Sequence, residues 1–332
     1  MGKKKYFYLK VQEIIPKCNK IFVLHNFKKV ELSNEYLRLL YNFSNYSNAI
    51  RVMEKSEFNT LDIIHHFIQG NPVVLHQHWF EITNFRSLVY NIFLIFCLGI
   101  AKLFLHAKII WTIHNKNPHH HSFSKLNYII RKNFAKFIAD YLHVHCYEAK
   151  NIMKTYFKIK EKKFFIFPHP KYNVTIFSKI DSINELKGKY LFCKDLDVNN
   201  EIFLIFGLID EYKGILEIIE IFPDEQGKVL LIIGGNRKNN KNYISKINEK
   251  LRLKKNILFY NNFIPTSDLM MFLNLSDKVV FNFKEILTSG SVELALSFEK
   301  KIIIPNKGCL KDITGPNIKK FDKLTTDLFI TW

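Results

Sequence analysis

Cysteine is scarce in this sequence and follows no pattern. Only five occur in 332 residues, and no two of them form a CxxC pair. Disulfide-stapled domains and zinc modules need closely and regularly spaced thiols. The odd count and wide spacing therefore favour reduced thiols in a cytoplasm and argue against a disulfide framework.

Acidic residues are also in short supply. The chain has 30 Asp and Glu against 49 Lys and Arg, a formal net charge of +19. Such an excess favours anionic partners, which include nucleic acid, phospholipid head groups and phosphorylated substrates. Charge alone does not choose among them, and a basic soluble surface is the simplest interpretation. Because lysine acts as a point charge and reads base edges poorly, we expect no nucleic-acid partner.

No apolar run in the sequence has the length of a membrane span. The longest, residues 88–101, is interrupted by Asn91 and followed by Lys102, whereas a spanning helix needs about 20 apolar residues. Two interpretations stay open. The segment is either a core helix or an interfacial helix that docks on anionic lipid through a basic rim of Arg86, Lys102 and Lys108.

A recognisable metal-binding pattern is missing despite thirteen histidines. His76 and His78 are predicted to share one face of a strand end, as are His143 and His145. The position that an HxHxDH hydrolase gives to Asp holds Phe80 instead. The sequence therefore favours no metal site.

What the sequence does have is a regular alternation of short β-rich apolar runs with helical segments. This pattern is typical of a parallel α/β sheet covered by helices on both faces. It occurs twice, with an interruption at residues 168–200 that includes Pro168 and Pro170. We predict two Rossmann-like domains, residues 1–185 and 186–332, that face each other across a cleft.

The most specific motif lies in the second half. Glu285 and Glu293 flank a Thr-Ser-Gly-Ser turn that is predicted to follow a strand and to open a helix. Free amides and the positive dipole end at a helix N-terminus suit a phosphate, while the two carboxylates would accept hydrogen bonds from a sugar and a ribose. The candidate phosphate-binding residues of this turn are Ser289, Gly290 and Ser291. From spacing alone, a capped helix with a surface Glu on each side is an equally good interpretation.

Two strand exits carry further candidates. In the second half a predicted strand ends at Gly207, and Lys213 stands just before Gly214, where it would reach a diphosphate. Many α/β loops carry such a lysine, so this signal alone is weak. In the first half His114 follows the predicted strand 108–113, at the carboxyl end where α/β sheets bind ligands. The alternative is a histidine that caps a loop.

Together these segments resemble the retaining GT-B glycosyltransferases, especially the large glycosyltransferase family four. Its second domain carries a Gly-x5-Lys-Gly loop and an E-x7-E element, which match Gly207 to Gly214 and Glu285 to Glu293. The first half resembles bacterial members that build exopolysaccharide or glycan repeat units. The matching residues there are His76, His78, Trp79, Trp111, His114, Asn115, Pro118 and His119.

The resemblance implies a GT-B fold and a hexosyltransferase that uses a UDP- or GDP-linked sugar, with retention and with no metal or other cofactor. The acceptor would be a saccharide, in particular a polyprenyl-linked one, bound by the N-terminal domain on the inner face of the plasma membrane. The C-terminal domain would bind the donor. The implied catalytic residues are His114, Glu285 and Lys213. The remaining donor-site residues are Gly207, Ser289, Gly290, Ser291 and Glu293, and the acceptor-side candidates are His78, Trp79, Asn115 and His119.

The sequence also departs from the family. Leu208 and Asp210 stand where many relatives carry an Arg, so the resemblance does not account for one donor-phosphate contact. The chain ends at Trp332, where relatives continue into helices that cross back to the first domain, and two interpretations stay open: a weaker closure of the cleft, or a truncated sequence. Two alternatives stay open: an inactive GT-B-like binding or scaffold protein, and a sugar-nucleotide epimerase.

Overall fold

The computed structural model describes residues 6–26, 35–41, 50–117, 123–236 and 240–330. The chain divides into two compact units, Met1–Pro170 and Lys171–Trp332. In the described residues each unit is built on one six-stranded, all-parallel sheet. The predicted double α/β pattern is therefore confirmed.

The first unit has the strand order β2-β1-β3-β4-β5-β6, which reverses between β1 and β3. Its strands are β1 (Lys20–Val23), β2 (Arg51–Glu54), β3 (Val74–Gln77), β4 (Lys108–Thr112), β5 (Tyr141–Val144) and β6 (Phe164–Ile166). Its described helices are α1 (Phe7–Ile14), α2 (Glu35–Tyr41), α3 (Thr60–Ile68), α4 (Phe85–Phe104), α5 (Ser124–Asn133) and α6 (Tyr147–Phe157), with a π-helical turn (Phe134–Ile138) after α5.

The second unit has the order β12-β11-β10-β7-β8-β9, which reverses between β7 and β10. Its strands are β7 (Glu201–Phe206), β8 (Lys228–Ile233), β9 (Ile257–Tyr260), β10 (Lys278–Val280), β11 (Lys301–Pro305) and β12 (Ile318–Phe321). Its described helices are α7 (Lys179–Lys189), α8 (Ile215–Ile221), α9 (Lys241–Leu251), α10 (Thr266–Leu275) and α11 (Gly290–Ser297).

Strand β7 shows why this sheet forms. Its residues alternate between two cores: Ile202, Leu204 and Phe206 pack on one face, and Phe203 and Ile205 pack on the other. A strand that is covered on both faces needs an unbroken apolar run, which is the pattern of parallel sheets. The run 202–206 is therefore read correctly from the sequence as a buried strand.

The boundary between the units differs from the predicted one. Residue 185 lies inside α7, and the structural division follows Pro170. The helix belongs to the second unit because Ile183 and Leu186 are buried in its core. Only a few apolar positions carry this contact, and the many polar residues of α7 make it look like a linker in the sequence.

Helix α4 is longer than the apolar run predicted from the sequence. It covers 20 residues because Asn84 caps it four positions before the run, with its side chain accepting from the Ser87 amide at 2.8 Å. By length and composition this helix is long enough to cross a membrane, so the expectation of too short a segment is wrong. Phe93 and Phe96 are each 63% exposed, which excludes the core-helix interpretation for this face.

Candidate functional site

The second unit places its candidate site where the strand order reverses. Loops after β7 and β10 leave in opposite directions at such a switch point, and the crevice between them is where open α/β sheets bind ligands. The Lys213 loop is tied to the segment after β10 by two bonds. The Lys284 amide donates to the Tyr212 carbonyl at 2.8 Å, and the Asn282 side chain donates to the Gly214 carbonyl at 3.0 Å.

Lys213 is a buried cation at this switch point. It is 5% exposed, and its Nζ donates to the Phe206 carbonyl at 2.8 Å. A Cβ added to Gly207 would lie 2.9 Å from Lys213 Nζ and 3.7 Å from Ser291 Oγ, so the lysine and the start of α11 share the space beside this glycine. Burial lowers the pKa of Lys213 to about 8, against the opposing effect of Asp210. The ammonium is therefore the main form at neutral pH.

The start of α11 supplies hydrogen-bond donors. Ser289 is its N-cap, and the Ser289 side chain accepts from the Val292 amide at 3.3 Å. This bond uses one lone pair of the Ser289 hydroxyl and leaves its hydrogen as a donor. The amides of Gly290 and Ser291 precede the first intrahelical bond and point out of the N-terminus. These two amides are the donors that an anion would meet.

The two glutamates of the E-x7-E element lie in different surroundings. Burial raises the pKa of Glu293 to about 7, with Lys171 acting in the opposite direction. This carboxyl therefore exchanges a proton near neutral pH. Glu285 is exposed on the loop between β10 and α11, so its carboxylate can accept hydrogen bonds in more orientations than that of Glu293.

Sequence reasoning missed the residues that hold this loop. Lys307 Nζ donates to the Phe283 carbonyl at 3.3 Å and to the Lys284 carbonyl at 3.2 Å. Gly308 has φ +51, and a Cβ there would lie 2.2 Å from the Ile286 carbonyl oxygen. The Lys-Gly pair two residues after the end of β11 is a signal that was available, because a tight strand exit of this kind marks a close backbone approach.

A cavity of about 730 Å³ opens beside Gly207. Its wall is made by the ends of β8 and β9 and includes Asn236, Asn261 and Phe263. The backbones are close here: a Cβ on Gly234 would lie 2.0 Å from the Gly207 carbonyl oxygen. The volume is within the range of small-molecule sites.

The first unit has a histidine after each of five neighbouring strands. They lie at one edge of the sheet and follow β1, β3, β4, β5 and β6, at His25, His78, His114, His145 and His169 respectively. The predicted pairs are also confirmed, since the rings of His76 and His78 are 4.2 Å apart and those of His143 and His145 are 4.7 Å apart. Sequence reasoning treated the pairs separately, whereas parallel strands bring all of them to one edge.

These histidines are neutral, and His78 and His114 are hydrogen-bonded directly to each other at 3.3 Å. Burial lowers the pKa of His25 and His169 to about 4. Burial also lowers the pKa of five further histidines well below the ordinary value, and neighbouring histidines add to the effect in each of these: His76, His78, His114, His143 and His145. Within the described residues no group of three His, Cys, Asp or Glu side chains has metal-binding geometry.

The predicted acceptor-side residues have different environments. His78 is fully buried, with Tyr41 at 2.8 Å from its Nε2 and His114 at 3.3 Å from its Nδ1, so it acts on His114 instead of touching a ligand. Trp79 stacks on His114 with a centroid distance of 4.8 Å and an interplanar angle of 12°. The prediction for His119 lies outside the described residues.

Asn115 is held by two residues that sequence reasoning missed. Its side chain donates to Glu81 at 3.1 Å, and its carbonyl accepts from the Arg131 guanidinium at 2.5 Å. Arg131 also donates to the Lys116 carbonyl and lies over the Trp111 ring. Burial lowers the pKa of Arg131 to about 10, with Glu81 opposing. This cation fixes the loop that follows His114.

Two Rossmann-like units of these strand orders define the GT-B fold class, and solved structures place the chain there. The HepE protein of Anabaena in complex with UDP is 13% identical, with a TM-score of 0.58 over 93% of this chain and 86% of HepE. Sucrose-phosphate synthase of Thermosynechococcus elongatus is 11% identical, with a TM-score of 0.63 over 94% of this chain and 88% of that one.

A glycosyltransferase of Rickettsia africae is similar as well, at 16% identity and a TM-score of 0.56 over 95% of this chain and 86% of that one. No protein-family model matches the chain, and no curated protein matches it. At these identities the likeness establishes the fold.

Proposed function

We propose that this chain is a glycosyltransferase that moves a hexose from a nucleotide-sugar donor to a saccharide acceptor. One observation carries the proposal: the Lys213 ammonium and the N-terminus of α11 lie beside Gly207, next to a cavity of about 730 Å³. A diphosphate needs such a fixed cation and amide donors, and a nucleoside needs such a cavity. HepE, which shares the fold, binds UDP and UDP-glucose.

The same residues account for the chemistry. Breaking the bond between the sugar and the diphosphate leaves negative charge on the departing phosphate oxygen. Lys213 and the Gly290 and Ser291 amides stabilise that charge as it develops. Glu293 holds the ribose and Glu285 the sugar.

We further propose that the anomeric configuration is retained, that the first unit binds a polyprenyl-linked acceptor beside His114, and that the product belongs to surface polysaccharide.

The first test is a panel of UDP, GDP, ADP and their sugars in a thermal-shift assay, run with EDTA. One nucleotide should raise the melting temperature by several degrees, because a ligand at 100 times its Kd adds about 2.7 kcal/mol to stability. The shift should persist in EDTA, since the proposal assigns the phosphate charge to Lys213 and backbone amides and to no metal or other cofactor.

The matched control is the free nucleoside, which fills the cavity but brings no phosphate. It should shift the melting temperature far less than its diphosphate. A flat response to every nucleotide, together with binding to RNA, would favour the inactive binding protein. If a nucleotide-sugar binds and a new sugar-nucleotide appears without transfer, the enzyme is an epimerase.

We also propose that the protein is cytoplasmic and docks on the anionic inner face of the plasma membrane through α4. This helix presents an apolar face of Phe85, Ile92, Phe93, Phe96, Leu103 and Phe104, each more than half exposed. Its opposite side is fixed to the first unit, since Asn91 donates to the Glu81 carbonyl at 3.0 Å and Lys102 pairs with Asp140 at 2.8 Å. A helix bonded to its own unit along its length is suited to lie on a surface.

The Phe93→Ser/Phe96→Ser double variant is expected to lose most of its binding to anionic vesicles while its melting temperature stays close to that of the parent. Both rings are already in water in the free protein, so replacing them removes apolar area only from the membrane contact. Salt should weaken the binding of the parent, because it screens the basic residues. Co-sedimentation beside a melting curve measures both quantities.

Leu253→Ser is the control, because Leu253 is 84% exposed in the second unit and its replacement should leave vesicle binding unchanged. Undiminished binding of the double variant would remove α4 from the membrane contact. A collapsed melting temperature would show that its rings are covered after all.

A further inference from the structure

One continuous chain of hydrogen bonds runs through the first unit and ends at His114. It begins at the Phe167 carbonyl, 2.9 Å from His143 Nε2. It continues from His143 Nδ1 to Thr112 Oγ1 at 2.9 Å and from there to His76 Nε2 at 2.7 Å. The remaining links join His76 Nδ1 to Tyr41 OH at 2.6 Å, Tyr41 OH to His78 Nε2 at 2.8 Å, and His78 Nδ1 to His114 Nε2 at 3.3 Å.

The first links have only one possible direction. A carbonyl oxygen only accepts, so His143 Nε2 must carry the hydrogen. His143 is neutral, because burial lowers its pKa well below the ordinary value, and its Nδ1 is then an acceptor. The single hydroxyl hydrogen of Thr112 must point at this nitrogen. The Thr112 oxygen is left to accept, and His76 Nε2 is therefore a donor.

The same argument carries the direction onward. With its hydrogen on Nε2, neutral His76 accepts at Nδ1, so the Tyr41 hydroxyl donates to it. The Tyr41 oxygen then accepts from His78 Nε2, which leaves His78 Nδ1 as an acceptor. The last link requires His114 Nε2 to donate. No step offers a choice, because any reversal would set two lone pairs or two hydrogens against each other at a buried contact.

A second branch from the same carbonyl agrees with this direction. His145 Nδ1 lies 3.1 Å from the Phe167 oxygen and must donate to it, so its Nε2 accepts from the Tyr36 hydroxyl at 3.2 Å. The two lone pairs of the carbonyl are thus both used. Phe167 fixes the polarity of both branches, and its amide is fixed in turn by a bond to the Val144 carbonyl at 3.1 Å.

We propose that Tyr41, His76, His78, Thr112 and His143 are positioning residues that fix His114 as the Nε2–H tautomer. Its Nδ1 is then a hydrogen-bond acceptor, so the ligand group that His114 recognises is a donor, such as a sugar hydroxyl, and not a phosphate oxygen or a carbonyl. The recognition of a hydroxyl rests on the proposed function. The tautomer itself does not, because it follows from the network.

The test measures the tautomer directly by long-range ¹H–¹⁵N NMR of the full chain labelled at histidine nitrogens, near pH 7.5. The His114 signals are assigned by their absence in His114→Gln. The expected result for the parent protein is a protonated Nε2 and an unprotonated Nδ1. A protonated Nδ1 in the parent would overturn the proposal without any variant.

Tyr41→Phe tests the relay. It removes the oxygen that accepts from His78 Nε2, so His78 should move its hydrogen to Nδ1 and donate to His114, which then becomes the Nδ1–H tautomer. Thr112→Val should also weaken the preference of His114 for the Nε2–H tautomer, because His76 Nε2 loses the hydroxyl oxygen that accepts its hydrogen. Thr112→Ser keeps the hydroxyl and should preserve this preference. An unchanged His114 tautomer in folded Tyr41→Phe and Thr112→Val would overturn the relay.

Turnover separates this inference from the proposed function. Tyr41→Phe should lower kcat with the identified nucleotide-sugar at least tenfold, with little change in KM for the donor, and Thr112→Ser should retain the parent rate. A tautomer change without any loss of kcat would overturn hydroxyl recognition by His114. If no nucleotide-sugar is a substrate, the proposed function fails while the NMR result still decides the tautomer.

Discussion

Acidification to about pH 5.5 is expected to unfold the first unit and leave the second unit folded. All thirteen histidines precede residue 170, so every one belongs to the first unit. Burial lowers the pKa of eight of them, by a smaller amount at His66. The other seven are held neutral, with a pKa far below the ordinary value of 6.5, at His25, His76, His78, His114, His143, His145 and His169.

The sign and size of this effect follow from proton uptake. Below pH 6.5 the unfolded chain binds protons at histidines that stay neutral in the folded unit. The free energy of unfolding is therefore at its full value above that pH and decreases below it. Each such histidine costs about 1.4 kcal/mol for each pH unit below 6.5. At about pH 5.5 seven of them remove roughly 10 kcal/mol, which is as much as the whole stability of an ordinary domain.

The second unit shows the opposite trend in the same window. Glu293 has its pKa raised to about 7 by burial, so the folded state binds its proton more tightly than the unfolded chain. Its contribution to stability therefore grows as the pH falls from 7 toward the ordinary carboxyl range. No acid loss is expected there.

Hydrogen exchange read by mass spectrometry across a pH series separates the two units. Fluorescence of Trp79 and Trp111, which both lie in the first unit, gives a second reading. The control is His65→Gln, because His65 is exposed and its replacement should leave the midpoint unchanged. Simultaneous unfolding of both units, or a first unit that stays protected at about pH 5.5, would contradict the assignment of the seven neutral histidines.

The sequence was sufficient for the architecture because parallel strands carry an unmistakable signal. Runs such as 202–206 are apolar at every position, and only a strand covered on both faces has that need. Strand order has no such signature. The order reversals between β1 and β3 and between β7 and β10 depend on long-range pairing, and they decide which loops form a site.

The residues of the candidate site that have a local sequence pattern were likewise predicted, and those that depend on long-range contacts were missed. Lys213 and Gly207 were recognised from a local pattern, and the structure places them side by side. The histidine network was missed because its members are spread over more than a hundred residues and meet only when the sheet forms. Lys307 and Arg131 were missed for a related reason. Each donates to backbone carbonyls, and because every residue type has a carbonyl, the sequence does not show which residues they contact.

Lys213→Met is expected to reduce turnover of the nucleotide-sugar by about 10²–10³-fold, the usual cost of losing one preorganised group at a developing charge. Met keeps an unbranched apolar side chain of the same length as the lysine methylenes and lacks the ammonium. The change in stability should be small, because the Phe206 carbonyl loses a donor while the cost of burying a charge disappears. Donor hydrolysis and a melting curve measure the two effects separately.

Lys278→Met is the matched control for this variant. Lys278 is 2% exposed and pairs with Glu201 at 2.7 Å, but it stands at the amino end of β10, opposite to the candidate site. Its replacement should lower the melting temperature and leave the rate per folded molecule unchanged. Equal loss of turnover in both variants would assign Lys213 a purely structural role.

The pH dependence of the parent enzyme gives an independent check on the same ammonium. Its pKa is about 8 in the free protein because burial disfavours the charged form, so kcat/KM should fall as the pH rises through 8 and the cation is lost. A bound diphosphate favours the ammonium, and the corresponding limb of kcat should therefore lie at higher pH. Lys213→Met should lack both limbs. A parent profile that stays flat between about pH 7 and pH 9.5 would show that no lysine cation supports the leaving phosphate.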